Sequence, residues 1–140
     1  MITKRVWLLL TVVMMLPMGA AACGFGEKSV EGYENTAVQH AYQHWNQGAS
    51  SAVPFVFIDV RTPEEYAEGH IEGAVLIPVQ ELAERINEVP KDKQVYLYCR
   101  SGRRSADAAG MLAKAGHTNI ENVLGGITAW KEANHAVVKP

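Results

Sequence analysis

The sequence predicts an α/β fold, a single domain whose parallel sheet is flanked by helices on both faces. Apolar runs rich in β-branched and aromatic residues alternate along the chain with segments of helical spacing, the order that βαβ units produce. Phe55 to Val60 (FVFIDV) is apolar almost throughout, as a strand covered on both faces should be. The chain has 140 residues, 48% of them hydrophobic and 20% charged, with a formal charge of −2. That composition suits one ordinary globular domain and excludes a disordered, collagen-like or disulfide-scaffold protein. A body of roughly 120 residues buries about two-thirds of its unfolded surface, enough for one core and no second domain.

The first 22 residues read as a secretory signal peptide. Met1 to Arg5 is a short basic start, Val6 to Leu16 (VWLLLTVVMML) is an apolar run, and Pro17 to Ala22 ends in small residues. The run is too short for a spanning helix, which needs about 20 apolar residues. Cys23 follows Ala20-Ala21-Ala22 directly. This resembles a bacterial lipoprotein signal, although Ala20 stands where such signals prefer Leu. Cleavage by an ordinary signal peptidase fits the same alanines. The lipid anchor is favoured, because an exposed free thiol at a mature N-terminus invites oxidation. Residues 23–33, mostly GFGEKSVEG, read as a flexible tether and residues 34–140 as the folded domain. The expected location is therefore exported and periplasmic, with the membrane reached only through a lipid on Cys23. The first 22 residues carry Lys4 and Arg5 and no acid, so the remaining body is more acidic than the whole. Such a balance offers no electrostatic reason to bind nucleic acid.

Within the body, Glu34 to Gln47 carries Ala37, Val38, Ala41, Tyr42 and Trp45 on one side and predicts a helix that ends at Gly48. Phe55 to Val60 is the first strand. Thr62, Pro63 and Glu65 make the start signal of a short helix, with Thr62 as N-cap. Ala74 to Ile77 is a second strand. Val79, Leu82, Ala83, Ile86 and Val89 share one helical face and predict a helix there. Gln94 to Tyr98 is the third strand, Ser105 to Ala115 a helix, Ile120 to Leu124 the fourth strand and Gly126 to Asn134 the closing helix. In such sheets the ligand site lies outside the carboxyl ends of the strands. Cys99 stands at one of those ends.

The segment Cys99-Arg100-Ser101-Gly102-Arg103-Arg104-Ser105 is a turn between a strand and a helix. The backbone N–H groups of such a turn, backed by a helix N-terminus, form an anion cradle. Three arginines add positive charge, so the thiol is expected to ionise more readily than a free cysteine. Gly102 permits the tight path. Ala106, Ala109, Gly110 and Ala113 give the following helix a small face for close docking. The chain has two cysteines; with Cys23 lipidated, Cys99 is the remaining thiol and no disulfide can form within the chain. A buried, inert core thiol is the plainer alternative.

At these residues the chain resembles the rhodanese-like sulfurtransferases, over about Val53 to Val138. The resemblance rests on Ile58-Asp59-Val60-Arg61, Glu64-Glu65-Tyr66, Gly69-His70-Ile71-Glu72-Gly73-Ala74 before Ile77-Pro78, the Cys99 loop, and Gly125-Gly126 with Trp130, in that order. It implies that the Cys99 thiolate takes the outer sulfur of a small anionic donor such as thiosulfate. The resulting persulfide then passes to cyanide, a thiol or a protein, by two-step covalent catalysis without a cofactor. Backbone N–H groups of residues 100–105 would cradle the persulfide, so Arg100, Ser101, Gly102, Arg103, Arg104 and Ser105 are the candidate binding residues. Arg100 and Arg103 are the candidates for holding the donor, since a guanidinium fork matches such an anion. Arg104 has an alternative role, anchoring the loop to Asp59 or Glu65.

Two other readings compete. Phosphatases and arsenate reductases share the architecture but use a longer loop, with arginine after five intervening residues, whereas Arg104 follows Cys99 after four. A carrier that presents persulfide without turnover fits the same loop. Asp59 and Arg61, at another strand end, are supporting residues expected to form a loop-bracing ion pair. His70 is expected to make a structural hydrogen bond, and Tyr42, Trp45 and Trp130 to fill core. His40 and His44 are four apart on a helix, but no third ligand is near, so no metal site is expected. No glycine-rich nucleotide fingerprint follows any strand.

Overall fold

The computed structural model describes residues 30–140. The expected leader, Cys23 and the tether up to Ser29 lie outside the described residues. Five strands form one parallel sheet: β1 (Glu34–Thr36), β2 (Phe55–Asp59), β3 (Val75–Leu76), β4 (Gln94–Tyr98) and β5 (Ile120–Val123), in the order β1-β5-β4-β2-β3. The helices are α1 (Val38–Gln47), α2 (Pro63–Glu68), α3 (Arg103–Lys114) and α4 (Gly126–Glu132). Strand β4 is central, and its side chains alternate between two cores. Val95, Leu97 and Cys99 pack with Ala108, Ala109 and Leu112 of α3 on one face. Tyr96 and Tyr98 pack with Val38 and Ala41 of α1 and with Ile127 and Trp130 of α4 on the other. The expected architecture, helices on both faces of a parallel sheet, is what the chain adopts.

Three details differ from the sequence expectation. Glu34 to Thr36 opens no helix but pairs with Glu121 to Val123 as an edge strand, and the helix begins only at Val38. Three residues carry too little pattern to be told from a helix start, and the pairing is settled by the partner strand 87 residues away in register, Asn35 beside Asn122. Tyr33, at the end of the expected tether, is itself buried in the core.

Second, residues 79–89 form no α-helix. The chain descends through tight turns to a single 3₁₀ turn at Ile86–Glu88. The N–H of Val79 donates to the Val60 carbonyl at 3.0 Å, tying the segment's start to β2, and only Leu82 and Val89 of its apolar residues reach full burial. Tertiary anchoring overrides a periodicity that was sound in isolation. Third, α3 buries a face shifted from the expected one but overlapping it. Ala109 and Gly110 are buried as expected, Ser105, Ala108 and Leu112 are buried beside them, and Ala106 and Ala113 are half-exposed at its edge. Leu112 is the largest apolar side chain of that helix to be buried, and turning it to the sheet brings Ser105 inward with it, one turn plus a turn away at i and i+7.

Trp130 is fully buried and its indole N–H donates to the Ala136 carbonyl at 2.9 Å. Tyr42 and Trp45 pack against the same core from its edge. Among the described residues no helix is long and apolar enough to cross a membrane.

Candidate active site

Cys99 is the first residue beyond the central strand, and the loop it opens is held from two sides. On the outer side, the first N–H groups of α4 take the loop's carbonyls: Ile127 N donates to Cys99 O at 2.9 Å and Thr128 N to Arg100 O at 3.2 Å. Because a trans peptide points its N–H opposite its C=O, the amides of Arg100 and Ser101 turn away from α4. Gly126 makes this approach possible. Its φ is +54°, and a Cβ there would collide with Cys99 O and meet Arg100 O at 2.8 Å. Gly102, at φ +97°, makes the second close approach, its missing Cβ facing Gly125 N at 3.2 Å.

On the inner side lies the sulfur. Gly102 N donates to Cys99 Sγ at 3.1 Å, and the Ser105 hydroxyl stands 3.5 Å from it. Cys99 is only 1% exposed. Burial pushes its pKa up, but hydrogen bonds from the Ser105 hydroxyl and from the backbone of Ser105, Ser101 and Gly102 outweigh it, and the thiol ionises below its ordinary value. The expected direction is therefore present, and of the two causes expected, the loop's own hydrogen bonds are the ones that act on the sulfur, ahead of the arginine charge. Burial alone would describe an inert core thiol; a set of donors aimed at the sulfur does not.

The three arginines separate. Arg104 donates to both carboxylate oxygens of Glu65, at 2.7 and 2.8 Å, and also faces the sulfur. Glu65 is at the same time the closing residue of the α2 capping box, its Oε2 accepting from Thr62 N at 3.2 Å while Thr62 Oγ1 accepts from Glu65 N. The Arg104 hydrogen bonds hold the Glu65 carboxyl down at about 2. The anchoring alternative for Arg104 is thus the one adopted, with Glu65 as partner. Arg100 and Arg103 are exposed and, among the described residues, carry no ion pair. Arg100 lines a groove of about 500 Å³ together with Arg61, Glu65, Glu68, Thr128 and Lys131. Ser101 is exposed at the loop's tip, and Gly102 and Ser105 are buried beneath it.

Asp59 and Arg61 form the expected brace. Arg61 Nε donates to both Asp59 oxygens at 2.9 and 3.0 Å, its Nη2 reaches Asp59 Oδ2 at 2.6 Å and the Gly69 carbonyl at 2.8 Å, and both side chains are buried. His70 Nδ1 lies 3.0 Å from the Tyr66 carbonyl, its ring stacked on Tyr66, a structural role. His44 Nδ1 is 2.8 Å from the Tyr96 hydroxyl, and the His40 ring lies beside it, tilted by 40°. Among the described residues no three potential ligands gather to hold a metal. Sequence reasoning missed the α4 amides, Lys131, Glu68 and Asn122. Gly125-Gly126 at a helix start was the available signal for the first, and a polar residue inside an apolar strand for the last.

A profile of the Rhodanese-like domain family matches residues 39–133. The chain is 40% identical over 85 residues to a protein named Sulfurtransferase from Allochromatium vinosum, covering 61% of this chain and 79% of that one. It is 44% identical over 71 residues to Thiosulfate sulfurtransferase PspE of Escherichia coli, covering 49% and 68%. The crystal structure of a rhodanese-related protein from Thermoplasma volcanium superposes with a TM-score of 0.67 at 31% identity, over 76% of this chain and 98% of that one. With the cysteine loop, the parallel sheet and these likenesses in agreement, the chain belongs to the rhodanese-like domain family and is a sulfurtransferase.

Proposed function

We propose that Cys99 is the nucleophile and that the protein moves sulfane sulfur from thiosulfate, or a similar small anion, to a thiol, cyanide or protein acceptor. The observation that carries this reading is the sulfur's own surroundings, a buried Sγ receiving the Gly102 N–H inside a loop whose Ser101 and Ser105 amides also act on it. The Cys99 thiolate attacks the outer sulfur of thiosulfate. The bond between that sulfur and the sulfonate sulfur breaks, and its electron pair leaves with sulfite. Cys99 then carries a persulfide whose terminal sulfur is anionic. The acceptor's lone pair attacks this sulfur, the S–S bond breaks towards Cys99, and the thiolate is restored; with cyanide the product is thiocyanate. No net redox change occurs, and no cofactor is called for.

The loop amides that stabilise the thiolate are placed to stabilise the persulfide anion as well. Arg100 and Arg103, exposed and without an acidic partner among the described residues, are the residues assigned to the donor's oxygens. Arg104, paired with Glu65, holds the loop instead. Thiosulfate as donor is supported by the name of the E. coli relative. Intact mass of the purified chain after incubation with thiosulfate tests the reading. A gain of one sulfur atom, reversed by cyanide and absent in Cys99→Ser, is the expected outcome; no gain with any small sulfane donor refutes it.

The reading extends to location. The basic start, the apolar run and Ala20-Ala21-Ala22 before Cys23 support export to the periplasm with a lipid on Cys23. Fatty-acid labelling that is lost in Cys23→Ser is the expected result; labelling absent from both points to a free, cleaved protein.

A further inference from the structure

Behind the sulfur Ser105 leads into a chain of polar groups, buried Asn122 and half-buried Asn35, that the proposed chemistry does not use. Ser105 Oγ lies 2.7 Å from Asn122 Oδ1, and Asn122 Nδ2 lies 2.9 Å from Asn35 Oδ1. Ser105 and Asn122 are buried, and Asn35 is the register partner of Asn122 across the β1–β5 pair. The Asn35 oxygen accepts from the amide nitrogen of Asn122, which turns the Asn122 oxygen towards Ser105. An oxygen there can only accept, so the serine must donate.

A serine hydroxyl has one proton. Ser105 has two acceptors within reach, the Asn122 oxygen at 2.7 Å and the Cys99 sulfur at 3.5 Å. The shorter contact holds the proton when the sulfur is a neutral thiol, and a charged sulfur competes for it because hydrogen bonds to ions are the stronger ones. We propose that Asn122 is a positioning residue that competes with the Cys99 sulfur for the single hydroxyl proton of Ser105, setting how readily the sulfur carries negative charge. The inference rests on the reading of Cys99 as nucleophile for its functional meaning, but on the three distances for its physics. It also accounts for a polar residue on β5, where Ile120 and Val123 are buried core. With two asparagines and one serine satisfied among themselves, the network avoids an unpaired group in the core.

The test is the pH dependence of iodoacetamide alkylation, read by mass spectrometry on the peptide that contains Cys99 so that Cys23 does not contribute. The charged groups of the elements packed around the loop are Arg100, Arg103 and Arg104, Asp107 on α3, Glu65 and Glu68 on α2, Lys131 on α4, Glu121 on β5, and the Asp59–Arg61 pair at the end of β2; all stay unchanged in every variant. In Asn122→Ala the serine proton is released to the sulfur, and the alkylation midpoint should fall by about 0.5–1 pH unit, the scale of one hydrogen bond. Ser105→Ala loses the donor, so its midpoint should rise. In the Ser105→Ala background, Asn122→Ala should then leave the midpoint where it is, because no proton remains to compete for. A midpoint in Asn122→Ala that is unmoved or raised, or that falls equally without Ser105, overturns the proposal, since general loosening of the core would act in both backgrounds. Should Asn122→Ala not fold, Asn35→Ala frees the Asn122 amide without touching the sulfur's neighbours. A smaller fall in the same direction is expected there, and no change overturns the proposal. Alkylation does not require sulfur transfer, so failure here and failure of the persulfide assay are separate results.

Discussion

Two adjacent strands of the sheet end side by side and finish in opposite chemistry. At the end of β2, Asp59 and Arg61 close on each other: the Asp59 carboxylate and the Nε and Nη2 of Arg61 are paired within the fold, and both side chains are buried. At the end of β4, in register next to Asp59, the chain turns instead into the Cys99 loop. There the sulfur receives donors from its own backbone while Arg100 and Arg103 stay exposed. The comparison teaches why a strand end is a site only when its polar groups are left incomplete. At the β2 end carboxylate and guanidinium are spent on each other, even where Arg61 borders the Arg100 groove; the β4 end has donors in surplus and positive charge without an acidic partner among the described residues.

If that contrast is right, damage at the two ends should differ in kind. Cys99→Ser should bring sulfur transfer down to background while leaving the unfolding midpoint close to wild type, because the hydroxyl nearly matches the thiol in size but is a far poorer nucleophile. Steady-state transfer and a thermal melt on the same sample check it, and activity near wild type would break the comparison outright. Asp59→Ala should do the reverse in emphasis. It leaves the Arg61 guanidinium buried without its carboxylate, at a cost of about 3–5 kcal/mol measured by denaturant unfolding. A loss well under 1 kcal/mol would show that the brace is ornamental.

Gly126→Ala joins the two effects, since its Cβ would strike Cys99 O and Arg100 O and so displace the loop itself. About 1–3 kcal/mol of stability should be lost, with a larger proportional fall in transfer rate than in stability. Equal activity per folded molecule would mean that the α4 clamp does not shape the site. Arg100→Ala and Arg103→Ala sharpen the open end: each should raise the donor KM several-fold, with kcat and stability little changed, as expected for contacts to the bound anion. An unchanged KM in the double variant would leave the backbone cradle as the whole binding site.

The smallest effect tests the link between the two ends. Glu65, held at about 2 by Arg104, has a folded-state pKa below its unfolded value near 4.5. Its stabilisation is therefore fully present above pH 4.5 and is lost as pH falls towards 2. The pair is partly exposed, so Glu65→Gln should cost only about 1 kcal/mol at pH 7. The gap between wild type and variant should close in unfolding titrations as pH drops through that window; a gap independent of pH would assign the loss to the capping box instead.

Local signals were enough for much of this. Phe55 to Asp59 and Gln94 to Tyr98 are strands in any context, because runs this apolar need cover on both faces. The Thr62 capping box is written in four residues and forms as written. The Cys99 loop could be read as an anion cradle because a strand, a turn with glycine and a helix start are contiguous in the chain. The Asp59–Arg61 brace followed from the placing of the two residues at one strand end, whereas the structural role of His70 came from the family resemblance of its motif.

What the sequence by itself determined, then, was whatever lies within about ten residues of its cause: strand, cap, turn and the identity of the candidate nucleophile. Only the tertiary structure decided which arginine pairs with Glu65, 39 residues away, that Glu34–Thr36 joins the sheet, that residues 79–89 forgo their helix, and that Asn122 reaches Ser105. Each of these is a contest between local preference and a distant partner, and the distant partner wins when it alone can satisfy a buried polar group or cover an apolar side chain. Periodicity reports which face of an element is apolar; it carries no information about what that face, or the one polar atom within it, will meet.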